Sequence, residues 1–340
     1  MNWSFISHIT SHLSRPKLGE QKQPTLWPSG ATSIVNDKIV GKCRRQNYFR
    51  YAKDNYAFSD KYDHLDKVYA EVKEKTIPPS VYSQWIWRAG ELYEQYCIDV
   101  AKESGVFVAE QVPIYIPDFN VSGKIDLVTI NPETGKYHIV EVKSVYGFNA
   151  NTVLGTDSQR KNGSMGEPRD SHLMQIGLYQ SWYGNVDDRF AEGLLVYGAR
   201  DTGKYAEYKV TVELNDEDKK HYIFYQPHSP NPGPKVNSLI TIESILLNYK
   251  LVEDCISSTE IPQRDYDLLY SQEKIEELYQ AGELNKTETA QHEKRKLQQQ
   301  QGKTRLVKPV EKGDWQCRLC EYKDICYDSE STERSLDYLH

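Results

Sequence analysis

The sequence predicts an α/β fold, a central sheet flanked by helices. Residues 81–104 carry a strong helical pattern that stops at Gly105. Two apolar segments, 123–130 and 137–145, read as strands joined by the turn-rich connection Asn131-Pro132-Glu133-Thr134-Gly135-Lys136. Ile125, Leu127, Val140 and Val142 line one face of this pair, and Val128, Ile130 and Ile139 line the other. Strands that are apolar on both faces are covered on both, as in the middle of a layered sheet.

The remaining elements follow in order. Residues 1–30 are polar and broken by Pro16, Pro24 and Pro28, which suits an extended arm. A helical pattern covers 43–57, and 106–116 reads as one or two strands. Residues 146–171 are rich in Gly, Asn, Ser and charge and read as a mobile loop. A helix is expected at 171–183, strands at 192–198 and 205–212, and a linker in the proline-rich 226–235. Helices at 238–255 and 273–281 precede a basic, Gln-rich stretch and a cysteine-bearing tail. The expected organisation is an arm and helical segment (1–80), a core (81–225) and a C-terminal helical region (226–340).

Composition narrows the function classes. The net charge of −7 argues against binding nucleic acid through bulk positive charge, but it is compatible with an acidic site neutralised by bound metal. Residues 286–312 run the other way, with eight Lys/Arg against Glu288, Glu293 and Glu311. They suit either a phosphate-tracking surface or a solvated helix and loop. The 25 tyrosines read first as half-buried packing residues. No run is long and apolar enough to cross a membrane, and residues 1–10 lack a secretory signal, so a cytoplasmic location is expected. Six cysteines in such a chain point to metal or cluster ligation, or to plain burial.

The chemistry is concentrated in Gly123-Lys124-Ile125-Asp126 and Glu141-Val142-Lys143. If the two strands pair symmetrically about the turn, Ile130 faces Tyr137, and counting outward sets Asp126 opposite Glu141. Opposed residues share a face with Cβ atoms about 5 Å apart, and Lys143 falls on that face as well. Two carboxylates this close need a cation between them. A hard divalent metal such as Mg²⁺ takes such oxygen ligands, and the lysine can orient a nucleophile or meet developing negative charge.

An Asp, a hairpin and Glu-x-Lys after a long helix resemble the PD-(D/E)XK nuclease superfamily. Further elements resemble its RecB-like branch. Gly90 is followed four residues later by Glu94, where that branch carries a metal-binding His. Trp87, Gly90, Cys97, Ile98 and Ala101 fall on the Glu94 face at helical spacing. Gln175 and Tyr179 match the branch's Q-x-x-x-Y element, with Arg169 and His172 just before it and within reach of a phosphate. The resemblance implies a restriction-endonuclease-like core with a central mixed sheet. It also implies Mg²⁺ or Mn²⁺ on Glu94, Asp126, Glu141 and the Val142 carbonyl, with Lys143 orienting water and Gln175 and Tyr179 organising the site. The activity implied is hydrolysis of DNA, with exonuclease action on single-stranded ends in recombination, end processing or CRISPR adaptation. With no G-x-x-x-x-G-K-[ST] in the chain, unwinding would fall to a helicase partner. The competing expectation is a DNA-binding scaffold that keeps the fold without the chemistry.

The tail Cys317-Arg318-Leu319-Cys320-Glu321-Tyr322-Lys323-Asp324-Ile325-Cys326 supplies three thiolates, and Cys43 is the best fourth. Cys97 and Cys255 sit in apolar helical patterns and read as packing residues. Spacing alone leaves zinc and an iron–sulfur cluster open. The pattern of one cysteine before the nuclease core and three after it is similar to that of CRISPR-associated and AddB-type RecB-like nucleases. This implies a [4Fe–4S] cluster in a helical subdomain built from both chain ends.

Overall fold

A computed structural model describes residues 25–54, 70, 72, 74, 80–184, 187–190, 192–258 and 260–327. Most of the expected N-terminal arm, and the end of the 43–57 helix, lie outside the described residues. A hairpin comes first, β1 (Thr32–Val35) against β2 (Lys38–Gly41). Its turn holds Asn36 and Asp37 at φ 49° and 61°, the left-handed values a two-residue hairpin needs and these residues tolerate. The expectations from sequence contain no element there. Helix α1 (Arg44–Asp54) follows, then α2 (Val81–Glu103). The Ser80 hydroxyl accepts the Ser83 N–H at the start of α2, and Gly105 at φ 75° follows its end.

Seven strands form the main sheet in sequence order: β3 (Phe107–Ile116), β4 (Val121–Ile130), β5 (Tyr137–Val145), β6 (Glu192–Ala199), β7 (Tyr205–Leu214), β8 (His221–Ser229) and β9 (Val236–Thr241). All neighbours are antiparallel except β5 and β6. The fold is thus α/β with a mixed central sheet flanked by helices. A parallel pair needs a long crossover, and α3 (Gly147–Leu154), α4 (Asp157–Lys161) and α5 (Asp170–Gly184) provide it. The mobile loop expected at 146–171 is corrected here. Ala150, Val153 and Leu154 bury an apolar edge of α3, and the buried Tyr208 hydroxyl reaches the Val153 and Gly166 carbonyls at 2.5 and 2.8 Å. Thr156 and Gln159 form a capping box at the start of α4.

The linker expected at 226–235 is also corrected, because β8 runs through its first half. β9 stops pairing with β8 at Tyr225↔Val236. Pro227 therefore lies where β8 has become an edge and tolerates the missing N–H. The helix expected from 238 begins later, as α6 (Ile242–Ser257), since the preceding residues pair with β8 and Thr241 caps the helix. α7 (Gln272–Gln280), α8 (Lys286–Gln300) and the short α9 (Trp315–Arg318) and α10 (Lys323–Cys326) complete the chain. In the basic stretch, Lys296 pairs with Glu276 and Lys312 with Glu288, and Arg295 donates to the Val307 carbonyl. Internal contacts thus occupy these three cations.

The core has two main parts. α5 buries every residue from Leu173 to Gln180, as a helix covered on all sides does. It packs with α6 and one face of the sheet in the larger cluster. On the other face, Ile98 and Ala101 of α2 pack on Leu127, Val140 and Val142. Gly198 seats this helix, because a Cβ there would stand 1.9 Å from the Tyr93 ring. Six of the largest fully buried side chains are tyrosines, namely Tyr48, Tyr179, Tyr197, Tyr208, Tyr249 and Tyr322, in line with the packing reading. Among the described residues no helix is long and apolar enough to cross a membrane.

Candidate active site

The β4–β5 hairpin pairs as counted from its turn, with Ile130↔Tyr137 and then Thr129↔His138, Val128↔Ile139 and Leu127↔Val140. The ladder stops there, one residue short of Asp126 and Glu141. The Val142 N–H donates instead to Asp126 Oδ2 at 2.9 Å. N–H and C=O of one strand residue point to the same edge, so the Val142 carbonyl also faces the gap between the strands.

The strand changes face at this point. Ile125 belongs to the larger core cluster, while Leu127 belongs to the cluster under α2. The shared apolar face expected for Ile125 and Leu127 is therefore corrected. On the neighbouring strand the pairing passes from Glu110↔Leu127 to Val112↔Ile125, and the intervening Gln111 has φ 50°, a left-handed value uncommon outside glycine. The kink turns Asp126 towards α2. There Gln111 Nε2 donates to Glu94 Oε1 at 2.5 Å. Glu94 thus joins the cluster through a residue that carried no sequence signal.

Four charged groups act on one another here. Burial pushes the Asp126 carboxyl up, against the pull of Lys143 and the Val142 N–H. Burial raises Glu94 as well, and the Asp126 charge adds to it. Glu141 is completely buried, and that burial, opposed by Lys143 and reinforced by Asp126, pushes its pKa up to about 8. Burial works against the Lys143 ammonium too, but the Glu141 and Asp126 carboxylates outweigh it and hold its pKa above the usual lysine value. Lys143 bonds Glu141 Oε1, whereas Glu141 Oε2 is buried with no hydrogen-bond partner.

α5 closes the other side. Gln175 Nε2 donates to the Tyr179 hydroxyl at 3.1 Å, and Tyr179 donates to the Lys124 carbonyl at 3.0 Å. Both side chains are buried. They therefore brace β4 just before Asp126. A Cβ on Gly123 would come within 3.1 Å of the Tyr179 hydroxyl and 2.9 Å of Pro28, which explains a glycine there. The Arg169 backbone N–H and His172 Nδ1 both bond the Tyr197 hydroxyl, and the Lys143 charge acts on the His172 ring. Trp87, expected on the Glu94 face, is exposed.

The residues fit a divalent ion in part. Glu141 Oε2 has no hydrogen-bond partner, the Asp126 and Glu141 carboxyls meet each other, and the Val142 carbonyl faces the same gap. As they stand, no three carboxylate, imidazole or thiol groups among the described residues converge closely enough to share an ion. Lys143 occupies the position next to Glu141 that a cation would otherwise fill.

Cys43, Cys317, Cys320 and Cys326 line a single small cavity, with Arg264 and Tyr266 among its other walls. Cys97 and Cys255 lie elsewhere, packed against the smaller and larger core clusters. Several bonds hold the two chain ends together at the cavity. The Arg44 amide donates to Asp265 Oδ2 at 2.6 Å, and its guanidinium pairs with the same carboxylate. Tyr266 donates to the Gly41 carbonyl at 2.9 Å, and the rings of Phe49 and Tyr322 lie 5.9 Å apart. Burial raises all four thiols, Cys317 to about 11 and Cys326 to about 12. Four thiols lining one cavity are the donor type of a tetrahedral zinc or iron–sulfur site, although no three of them stand close enough to share an ion as they are. No family model matches the chain, and no curated protein shows significant similarity to it.

Proposed function

We propose that the protein is a metal-dependent deoxyribonuclease of the PD-(D/E)XK type, acting on single-stranded DNA or DNA with free ends. The observation that carries this reading is the break in the β4–β5 ladder. It gathers Asp126, Glu141, Lys143 and the Val142 carbonyl at one gap with Glu94 alongside, and leaves Glu141 Oε2 without a partner. Two buried carboxyls meeting at one gap, one of them holding its proton up to about pH 8, are what a divalent ion would separate and neutralise.

Glu94, Asp126, Glu141 and the Val142 carbonyl would hold Mg²⁺ or Mn²⁺. Bound there, the ion would polarise a phosphoryl oxygen and lower the pKa of water. Lys143 orients the attacking water and meets the negative charge that develops on the phosphoryl oxygens. Gln175 and Tyr179 keep β4 in register. The four cysteines would hold a [4Fe–4S] cluster, with zinc as the alternative, and so join the chain ends across the core. The resemblance to RecB-like nucleases favours an exonuclease role in end processing, recombination or CRISPR adaptation beside a helicase partner.

The test is cleavage of end-labelled single- and double-stranded DNA by anaerobically purified protein with Mg²⁺, Mn²⁺ or EDTA. Asp126→Ala and Lys143→Ala are expected to lower the rate by about a hundredfold to a thousandfold or more while circular dichroism stays unchanged. Wild-type rates in either purified variant would sink the reading. A DNA-binding scaffold without chemistry is the second reading. The lysine lodged on Glu141 and the lack of three converging ligands among the described residues favour it, and metal-dependent turnover would exclude it.

A further inference from the structure

We propose that Lys42, Arg169 and His172 Nε2 form a phosphate-binding site beside the carboxylates, holding a strand phosphate next to the one that is cut. This deepens the nuclease reading and takes the identity of its ligand from it.

The Tyr197 hydroxyl is the pivot. It is fully buried, accepts the Arg169 N–H at 3.1 Å and lies 2.9 Å from His172 Nδ1. An amide can only donate, so the hydroxyl proton goes to Nδ1, the one acceptor it meets. Burial, then the nearby Lys143, Arg169 and Lys42 cations, keep the imidazole neutral. A neutral ring with Nδ1 accepting carries its proton on Nε2. Nε2 is thus a donor, and no acceptor for it stands among the described residues.

The cations around the ring are equally short of partners. Lys143 bonds Glu141. Neither the Lys42 ammonium nor the Arg169 guanidinium has an ion pair or hydrogen bond among the described residues, although both side chains are half-buried. The acid near Lys42, Glu321, is 3.7 Å from Lys53. Half-buried cations cost stability unless an anion answers them. The only acids acting on the Lys42 charge are the Cys320 thiol and Glu321, and Arg169 has no ion pair among the described residues.

Rigid backbone holds the three groups. A Cβ on Gly41 would stand 2.4 Å from Met174 Cε, so the end of β2 rests directly on α5. The Lys42 N–H donates to the Ala31 carbonyl at 3.0 Å, and Thr32 Oγ1 donates to the Lys42 carbonyl at 2.6 Å. Arg169 immediately precedes α5 and His172 lies in its first turn, both tied to Tyr197 on β6. Two cations whose charges act on the His172 ring, together with its fixed N–H donor, match the several acceptor oxygens and negative charge of a phosphate. The Lys143 charge acts on the same ring. Two sources share this chemistry, an internal phosphodiester and a terminal phosphomonoester.

The experiment is equilibrium binding of a fluorescent single-stranded oligonucleotide, with or without a terminal phosphate, in EDTA over a range of salt. Arg169→Gln is expected to weaken binding about tenfold or more and to reduce the slope of log K against log salt by about 0.7. His172→Asn is expected to weaken binding without changing the slope, since the ring is uncharged. A second measurement leaves the protein untouched. Replacing one phosphate at a time with a neutral methylphosphonate should reveal a position that weakens wild-type binding and does not weaken Arg169→Gln further. Loss confined to oligonucleotides with a terminal phosphate identifies the phosphomonoester; loss with both identifies an internal phosphodiester. Wild-type affinity and slope in Arg169→Gln overturn the site, as does failure of the wild-type protein to bind any oligonucleotide. Binding that depends on Arg169 without cleavage under any condition supports the site and refutes the nuclease reading instead.

Discussion

Glu141 combines two features that a structural carboxylate avoids, complete burial and an oxygen with no donor. Lys143 answers only the other oxygen. The conflict has a measurable signature. Burial first, then the Asp126 charge, raise the Glu141 pKa from the ordinary 4.5 to about 8 against the pull of Lys143. The folded chain therefore keeps a proton that the unfolded chain releases. This contribution to stability is fully present below the ordinary glutamate value and is lost as pH rises towards 8, at up to about 1.4 kcal/mol per pH unit. Mg²⁺ competes with that proton, so saturating Mg²⁺ should flatten the decline, and Glu141→Gln should flatten it without metal. Urea unfolding between about pH 5 and pH 8 measures both. An identical pH dependence in wild type and Glu141→Gln would show that Glu141 is not the group responsible.

At the scale of elements, α2 sets Glu94 and the kinked β3–β4 pair sets Asp126, and the two met the sequence with different success. Counting from the 131–136 turn reproduces every pair down to Leu127↔Val140, because apolar periodicity and turn length fix register. It fails at the next residue, where the Asp126 side chain takes the N–H that a strand would have used, and no local pattern announces that exchange. The β1–β2 turn has its signal in Asn36-Asp37 between two apolar runs, a stretch without an assigned element among the expectations from sequence, and the α4 start has its signal in Thr156-x-x-Gln159, inside a stretch whose Gly, Asn and Ser content reads as loop. Tyr197, Gln111 and Lys42 carry no sequence signal, since their roles exist only where distant elements meet. Gly90 allows a prediction at this scale. It lies inside α2, one turn before Glu94, and a Cβ there would meet nothing within 4 Å. Packing within the chain does not call for a glycine, and Gly90→Ala should stabilise the protein by about 0.5–1 kcal/mol. If the open space admits substrate, the same variant should lose cleavage or raise KM despite its higher melting temperature. Gain of stability with unchanged kinetics would show that the substrate does not approach this turn.

Across the whole molecule, the cysteine cavity joins segments separated by the entire sheet, since Cys43 precedes α1 and the other three lie beyond α8. Closing so long a loop restricts the unfolded chain severely, and a ligand that binds only the folded cavity adds its binding energy to folding. The spacing of the tail thiols was legible, and so was the position of Cys43 beside them in one cavity lining. What could not be read was the scaffold that brings them together, the Arg44–Asp265 pair and the Tyr266 bond to Gly41. The thiols lie well above their ordinary value because they are buried, so ligation must release protons, and occupancy should fall as pH is lowered. On the proposed ligation, Cys43→Ser is expected to lower metal content and stability, the latter by a few kcal/mol, about what removing a long-loop crosslink costs. Cys97→Ser, away from the cavity, should leave the metal content intact. Iron and sulfide analysis with visible absorption of anaerobically purified protein, beside thermal unfolding of both variants, checks this directly. A brown wild type that loses iron and melting temperature together in Cys43→Ser supports a cluster joining the chain ends. A colourless protein with one zinc per chain, lost in the same variant, keeps the crosslink and replaces the cluster. Equal metal content in Cys43→Ser and wild type would mean that the cavity is not the site.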